Sequence, residues 1–501
     1  MNKLLSRVLC LVLVQLVLGV GLVFGKDLVR VATSEKPVRF FACGPDGSNN
    51  ADLSILNNIY DPLLIMQADG TLKPCLAKEY KVSPSGLIYT FKLRENVKFH
   101  DGSPMTADDV VATLDLGSKN SVGKALLINY SKSIAIDKYT VEVHLTAPFA
   151  GFLNGIASRA ALIFSKAYFD KVGVEGYLKA PVGTGPYKLG AISSESFKLE
   201  AFPDYWNGPA KIKTVEIRIM TDASTQMIAL ENGDVDFVLS PSIASGMRLN
   251  KSKGVVFETG DSAGRVAMLM NDNPGYPGKD KNFRKAVQAG INKKDLIVGT
   301  TEGLASQIDI DMCASYSGRP TGYDVVNFDV KKAKEYLKAS NYKGEPFEMI
   351  VQTGTINEPV AQIMQAQLMD IGINATVKAV DTATFTDLWY AGKFGGMIRL
   401  TSSSLLDADG FLNTYMVGNY APTDNNQFPR SKEIYDLGMS GRAAQGDARK
   451  AIYLKCVNIV TEEAYQIPLF ASVNTVAYRN TLQGIKVHPL NLMFFYDWSF
   501  K

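Results

Sequence analysis

The side chains in this sequence that could do chemistry are few, and most have a structural explanation. Three histidines occur: His100 beside the Asp101-Gly102 turn, His144 on the polar face of an alternating run, and His488 before Pro489. None is close to another in sequence, and a solvated or capped imidazole accounts for each, so no metal site is assigned. Asp407 and Asp409 could pair as the acid and base of a hydrolase, but loop solvation or backbone capping explains the same spacing. There is no HExxH, GxSxG, P-loop or GxGxxG run. Gly183-Thr184-Gly185 leads into Pro186-Tyr187-Lys188 and lacks a third glycine. Lys293-Lys294 and Lys331-Lys332 read as solvated helix faces, and Phe202 to Gly208 as a rigid turn with packed rings. Tyr415 and Tyr420, near Phe411, are either ligand-facing or core. No catalytic residue and no cofactor is assigned.

Elements that would position a site are legible from periodicity. Leu28 to Ala32 alternates weakly as a first strand. Leu87, Tyr89, Phe91 and Leu93 alternate clearly, and Ile134 to Ile136 with Val141 to Leu145 forms a hairpin around Asp137-Lys138. Thr106 caps a helix with Asp108 and Asp109 in its first turn. From about residue 215 strands and helices alternate. A strand at Val215 to Ile219, a helix at Ser224 to Glu231 and a strand at Val235 to Leu239 come first. A strand at Phe347 to Val351 follows, then a helical stripe of Val360, Ile363, Met364, Leu368 and Ile371 stopped by Gly372. Strand Ala375 to Val380, a helix around Phe385 to Tyr390 and strand Met397 to Leu400 complete the pattern. This alternation predicts βαβ units in two α/β lobes, with a β-rich piece inserted early.

Composition sets the class. The chain is 46% hydrophobic and 21% charged, ordinary for a globular protein of about two to four domains. Apart from Lys3 and Arg7 it carries 51 basic against 50 acidic residues, which gives no electrostatic footprint for nucleic acid. Lys3 and Arg7 precede an apolar run from Val8 to Phe24, shorter than the roughly 20 residues of a membrane span, so residues 1–25 read as a signal peptide cleaved after Gly25. The mature chain is expected in the periplasm, soluble and monomeric. Export permits disulfides among Cys43, Cys75, Cys313 and Cys456, though four buried free thiols are the competing expectation. Any bridge should stay within one lobe.

A collinear series of segments resembles the bacterial extracellular solute-binding protein family 5. It runs through Gly70 to Ala77, Ile88 to Arg94, Val97 to Gly102, Thr106 to Val110, Pro181 to Tyr187 and Asp204 to Gly208. It continues through Asn282 to Val287, Ala366 to Ile373 and Ile467 to Phe470. The resemblance implies a two-lobed periplasmic-binding-protein fold, type II-like, with mixed sheets flanked by helices and a hinge between lobes. Residues 26–58, 181–262 and 479–501 would form lobe I, 59–180 its inserted subdomain, and 263–478 lobe II. The implied partners are a small solute and the permease subunits of an ATP-binding-cassette importer. An exported sensor of the same fold and an exported hydrolase are the alternatives.

The resemblance also nominates a binding site. Peptide-binding relatives capture the ligand's amine with an aspartate; aligning on Phe411-Leu412 puts Ser404 there, within Thr401-Ser402-Ser403-Ser404. The arginine that dipeptide receptors place after Val-Gln is Thr353 here, and Arg159 aligns with a carboxylate-contacting arginine of nickel-type relatives. Those nickel-type relatives carry a tryptophan and a histidine where Ser402 and Tyr420 stand, so bare nickel is not expected as the ligand. The expected ligand is peptide-like, opine-like or another polar solute with an acidic group and no required free amine. A slipped alignment would instead give the amine to Asp407 or Asp409.

Overall fold

The computed structural model describes residues 27–36, 40–41, 43, 50–249, 252–403, 405–411 and 432–501. The leader with its expected cleavage after Gly25, Cys10, Ser404, Tyr415 and Tyr420 lie outside the described residues.

Strand β1 (Leu28–Thr33) begins the main sheet, with Val29, Val31 and Ala32 buried. The chain then builds a separate antiparallel sheet from β2 (Ala77–Val82), β3 (Ile88–Leu93), β4 (Tyr130–Asp137) and β5 (Thr140–Leu145), in the order β2-β3-β5-β4. Its alternating Tyr89, Phe91, Leu93, Val141, Val143 and Leu145 are all buried in one core, as period-two patterning requires. Helix α1 (Ala107–Gly117) packs on β4. Its start is fixed by Asp109, whose Oδ2 accepts the Thr106 backbone N–H at 2.8 Å. A short helix α2 (Phe152–Ile156) and the single turn Arg159–Ala161 follow.

The main sheet resumes with β6 (Tyr187–Ile192), β7 (Ser196–Ala201), β8 (Thr214–Ile219), helix α3 (Ala223–Asn232) and β9 (Phe237–Leu239). Strand β1 lies parallel between β8 and β9, and α3 supplies the crossover that parallel neighbours need. The 16-residue strand β10 (Val255–Met270) then carries the chain to β11 (Phe347–Gln352), helix α4 (Asn357–Ile371), β12 (Ala375–Val380) and β13 (Gly396–Ser402). After helices α5 (Lys432–Ala443) and α6 (Gly446–Glu463), the 14-residue β14 (Gln466–Arg479) brings it back.

The sheet order is β12-β11-β13-β10-β14-β9-β1-β8-β7-β6. One hydrogen-bonded sheet thus runs through both halves, where the sequence suggested separate ones. The long pair β10/β14 is the join, antiparallel from Val255 opposite Arg479 to Leu269 opposite Gln466. Its register breaks between Asp261 and Arg265, where Ser262 to Gly264 bulge out of the ladder and bend the strand.

Each half has its own core. One gathers β1, β6 to β9 and the separate sheet; the other gathers β11, β13, Phe283 and the α4 stripe of Val360, Met364, Leu368 and Ile371. A third cluster, with Met66, Ala263, Tyr316, Leu406 and Tyr453, lies where they meet. Cys43, Cys75, Cys313 and Cys456 are buried free thiols. Burial pushes Cys43 and Cys456 up to about 12 and Cys313 to about 11.

Candidate functional site

A cavity of about 420 Å³ lies against the bulge in the long strand pair. Its floor is Ser262, Ala263 and Gly264 of β10 with Ser472, Val473 and Asn474 of β14. Ser472 Oγ donates to Ser262 Oγ at 2.9 Å, and that oxygen accepts the Gly264 N–H at 2.9 Å, which holds the bulge in shape. One wall comes from Pro62, Met66 and the Ala157–Arg159 stretch, the other from Ile356, Leu400 and Ser402, and residues 489–492 with Phe494 close an end. Most of this surface is apolar, interrupted by hydroxyls and amides. Among the described lining residues the ionisable side chain is Arg159. A concave apolar site with a few convergent polar groups suits a small solute.

The segments that carry the family resemblance anchor these walls. Asp61, next to Pro62, is buried and accepts bonds from Trp206 Nε1 at 2.9 Å and from Tyr205 Oη and Thr184 Oγ1 at 3.2 Å each. Burial pushes its carboxyl up to about 6 despite these donors. Arg94 stacks over Trp206 with its guanidinium carbon 4.6 Å from the ring centre. Gly185 has no room for a side chain, since a Cβ there would sit 2.6 Å from the Asn58 carbonyl oxygen.

Of the solvated and capped roles that the sequence offered, two histidines take the second, buried and bonded to backbone groups. His100 is buried: Nε2 donates to the Gly185 carbonyl at 3.0 Å and Nδ1 accepts the Gly183 N–H at 3.3 Å. His488 is buried as well, with Nε2 donating to the Met66 carbonyl at 3.3 Å and Nδ1 accepting the Leu490 N–H at 3.1 Å. It ties one wall of the cavity to its closing end. Burial lowers both to about 4, so both are neutral at pH 7. His144 stays half-buried, its Nε2 3.3 Å from Glu142.

The nominated binding residues divide. Arg159, in its single turn behind Ser158, and Ser402, at the end of β13, both line the cavity. Thr401 does not, because successive strand residues face opposite ways: Leu400 and Ser402 share the cavity face, and the Thr401 hydroxyl oxygen is buried behind it without a hydrogen-bond partner. Thr353 is exposed just past β11, its N–H bonded to the Val380 carbonyl at 2.9 Å, and does not reach the cavity.

Asp407 lies outside the cavity lining with its carboxylate already engaged. Its side chain is 1% exposed and bound by Arg449 Nη1 at 2.8 Å and Nη2 at 2.5 Å, with Ser317 Oγ donating at 2.6 Å. Asp409 is engaged by Arg442 at 2.8 Å, and burial raises its carboxyl. Neither is among the lining residues. The walls at Met66 and at residues 489–494 had no sequence signal of their own, since they are apolar residues and loop amides that become a site only through folding.

Residues 71–422 match the family model described as bacterial extracellular solute-binding proteins, family 5 Middle. The chain belongs to this family. It is 29% identical over 465 residues to the glutathione-binding protein GsiB of Escherichia coli O1:K1, covering 89% of each chain. Among solved structures it resembles the ABC transporter substrate-binding protein CtaP of Listeria monocytogenes, with a TM-score of 0.85 at 22% identity over 95% of this chain and 99% of that one. It also resembles NikA of Brucella suis in complex with Fe(III)-EDTA, at 0.84 and 21% over 95% and 100%. The two-lobed family 5 fold is therefore this chain's fold, and a solute-binding receptor of an ATP-binding-cassette importer is its class. No helix among the described residues is long and apolar enough to cross a membrane.

Proposed function

We propose that this family 5 receptor captures a small peptide-like or opine-like acid in the cavity on the β10/β14 bulge and hands it to permease subunits in the membrane. Residues 1–25 would direct it to the periplasm, and the long strand pair would be the hinge between lobes I and II. The observation that carries the ligand class is the character of the wall: Arg159 beside Ser158, with Ser402, Ser472, Asn474 and Asn491 around an apolar surface. A ligand carboxylate gains a charged partner at Arg159. A ligand ammonium finds no carboxylate among the described lining residues. Hydroxyls and amides can donate and accept, which suits amide or hydroxyl groups elsewhere on the ligand. The similarity to a glutathione-binding protein supports the peptide-like class.

Thermal unfolding with an N-acetylated dipeptide, the same dipeptide with a free amine, and glutathione tests this reading. A ligand at about 100 times its dissociation constant adds about 2.7 kcal/mol. The N-acetylated peptide should stabilise the protein and Arg159→Met should abolish the effect. Equal stabilisation by the free peptide in both proteins would refute the proposed class. Uptake of the radiolabelled ligand, lost in cells lacking this chain, would establish import over sensing.

A further inference from the structure

The inserted segment touches the opposite half of the molecule at a second place, away from the strand pair. Asn154 of α2 is 6% exposed. Its Nδ2 donates to the Leu405 carbonyl at 3.0 Å, the Leu406 carbonyl at 3.3 Å and Ser317 Oγ at 3.5 Å. All three acceptors lie on the far side of the hinge. Four residues earlier the Ala150 N–H donates to the Arg442 carbonyl at 2.9 Å. Between them the backbone at Gly151 passes so close that a Cβ would lie 3.1 Å from the Asp407 carboxyl carbon.

The receiving side is held ready. Leu406 is fully buried and adopts φ 45°, a left-handed conformation unfavourable for leucine, and its carbonyl accepts both Asn154 Nδ2 and the Ser317 N–H. Ser317 Oγ donates to the neighbouring Asp407 carboxylate, which Arg449 fixes in turn. A cavity of about 620 Å³, lined by Leu153, Asn154, Ser317 and Arg449, flanks the contact, so continuous packing does not back it on that side. Asn154 stands three residues before Ala157, and Leu405 three after Ser402. The contact therefore draws together the two stretches that wall the solute cavity from opposite halves.

We infer that Asn154 is a positioning residue for solute capture: the clasp that holds the two lobes closed over the cavity without touching the solute. This rests on the proposed hinge at the long strand pair but not on the identity of the ligand. The buried Ser317–Asp407–Arg449 group, which the sequence offered as a possible amine site, is the rigid half of the clasp.

Small-angle scattering of the mature wild-type chain, Asn154→Asp and Asn154→Leu, each with and without a mixed dipeptide and tripeptide library, tests the clasp. The aspartate would set a carboxylate against two carbonyls, and the leucine keeps the volume without the donor. Loss of these bonds should shift the closed-to-open ratio about tenfold or more toward open. In at least one condition the wild type should match the scattering of this structure, while both variants are more extended and keep its far-UV circular dichroism and melting temperature within a few degrees. Among the described residues the side chain makes no hydrogen bond within its own subdomain, so a purely structural role gives no reason for expansion at unchanged stability. Variant curves that superimpose on wild type in both conditions would overturn the inference, as would expansion accompanied by loss of secondary structure. Failure of the ligand class would show instead in the thermal screen, leaving the scattering comparison intact.

Discussion

Replacing Asp407 by alanine separates two roles for a carboxylate that sits near the cavity in sequence but away from it in space. In the folded protein Asp407 is 1% exposed and Arg449 6% exposed by side chain, so the variant leaves a guanidinium in the interior without its counter-charge. It also strips an acceptor from Ser317 Oγ and from the Asp409 N–H, which bonds Asp407 Oδ1 at 2.8 Å. Breaking a buried pair from one side costs about 3–5 kcal/mol, and 4 kcal/mol is roughly a thousandfold in the folding equilibrium. Urea unfolding should show a midpoint lowered accordingly, with the slope unchanged. The double variant Asp407→Leu/Arg449→Met removes both charges together and should recover most of the loss, since the uncompensated ion is then gone. A midpoint unchanged by Asp407→Ala, together with lost peptide binding, would mean that the carboxylate serves a ligand amine. Neither the proposed ligand class, an acid with no required free amine, nor the rigid half of the clasp would survive that result.

His488 should make the protein acid-labile. Its folded value of about 4 lies below the usual 6.5, so the unfolded chain takes up the proton first and stability falls between pH 6.5 and 4, by about 3 kcal/mol at most. His100 is shifted in the same way, so His488→Gln should remove about half of the two histidines' slope in a plot of urea midpoint against pH; an unchanged profile would contradict the burial argument. Asp61 acts in the opposite sense. Its folded value of about 6 exceeds the usual 3.8, so the folded state holds the extra proton and this contribution falls as pH rises from 4 to 6. Asp61→Asn keeps an acceptor for Trp206 Nε1 and turns its amide N–H toward the Tyr205 hydroxyl, which can accept, and should be relatively more favourable at pH 7 than at pH 4 by about 3 kcal/mol, read from the same titration. Peptide mapping of the native protein should find Cys43, Cys75, Cys313 and Cys456 unbridged, and maleimide should label none of them quickly below denaturing urea; rapid labelling of all four would refute their burial.

Where a local rule decides the outcome, the residues announce it. Asp222 caps α3 by accepting the Thr225 N–H at 2.7 Å, the α4 stripe at Val360, Met364, Leu368 and Ile371 is buried, and Gly372 ends that helix at φ 100°. The cavity obeys no such rule. Its lining comes from stretches around residues 62, 158, 262, 301, 356, 400, 473 and 490, brought together by a parallel crossover and a bulge whose position depends on pairing partners two hundred residues away. Resemblance pointed to two of these places, Arg159 and Ser402, because they align with ligand-contacting positions of nickel-type relatives. It could not separate Ser402 from Thr401, which needs the strand's phase relative to the cavity, or remove Asp407, which needs knowledge that Arg449 lies under it. A run of hydroxyls in sequence is one polar patch, but on a strand every second one is turned away.

The same reasoning explains why the matched phrases are not the binding residues. The His100 ring bonds the Gly183 to Gly185 turn, and that turn and the Tyr205-Trp206 pair meet Asn58 to Asp61, next to the cavity-lining Pro62 rather than inside the cavity. Their interactions are buried hydrogen bonds with few substitutes, since each lost donor would leave a polar group unsatisfied inside the protein. A framework of that kind tolerates little change. The aliphatic positions of the cavity wall, such as Ile356 and Leu400, can be exchanged without unpairing a buried polar group. The division lets one scaffold carry receptors for different solutes, and under the proposed function it is Arg159, Ser402 and their neighbours in the cavity lining that would select the ligand.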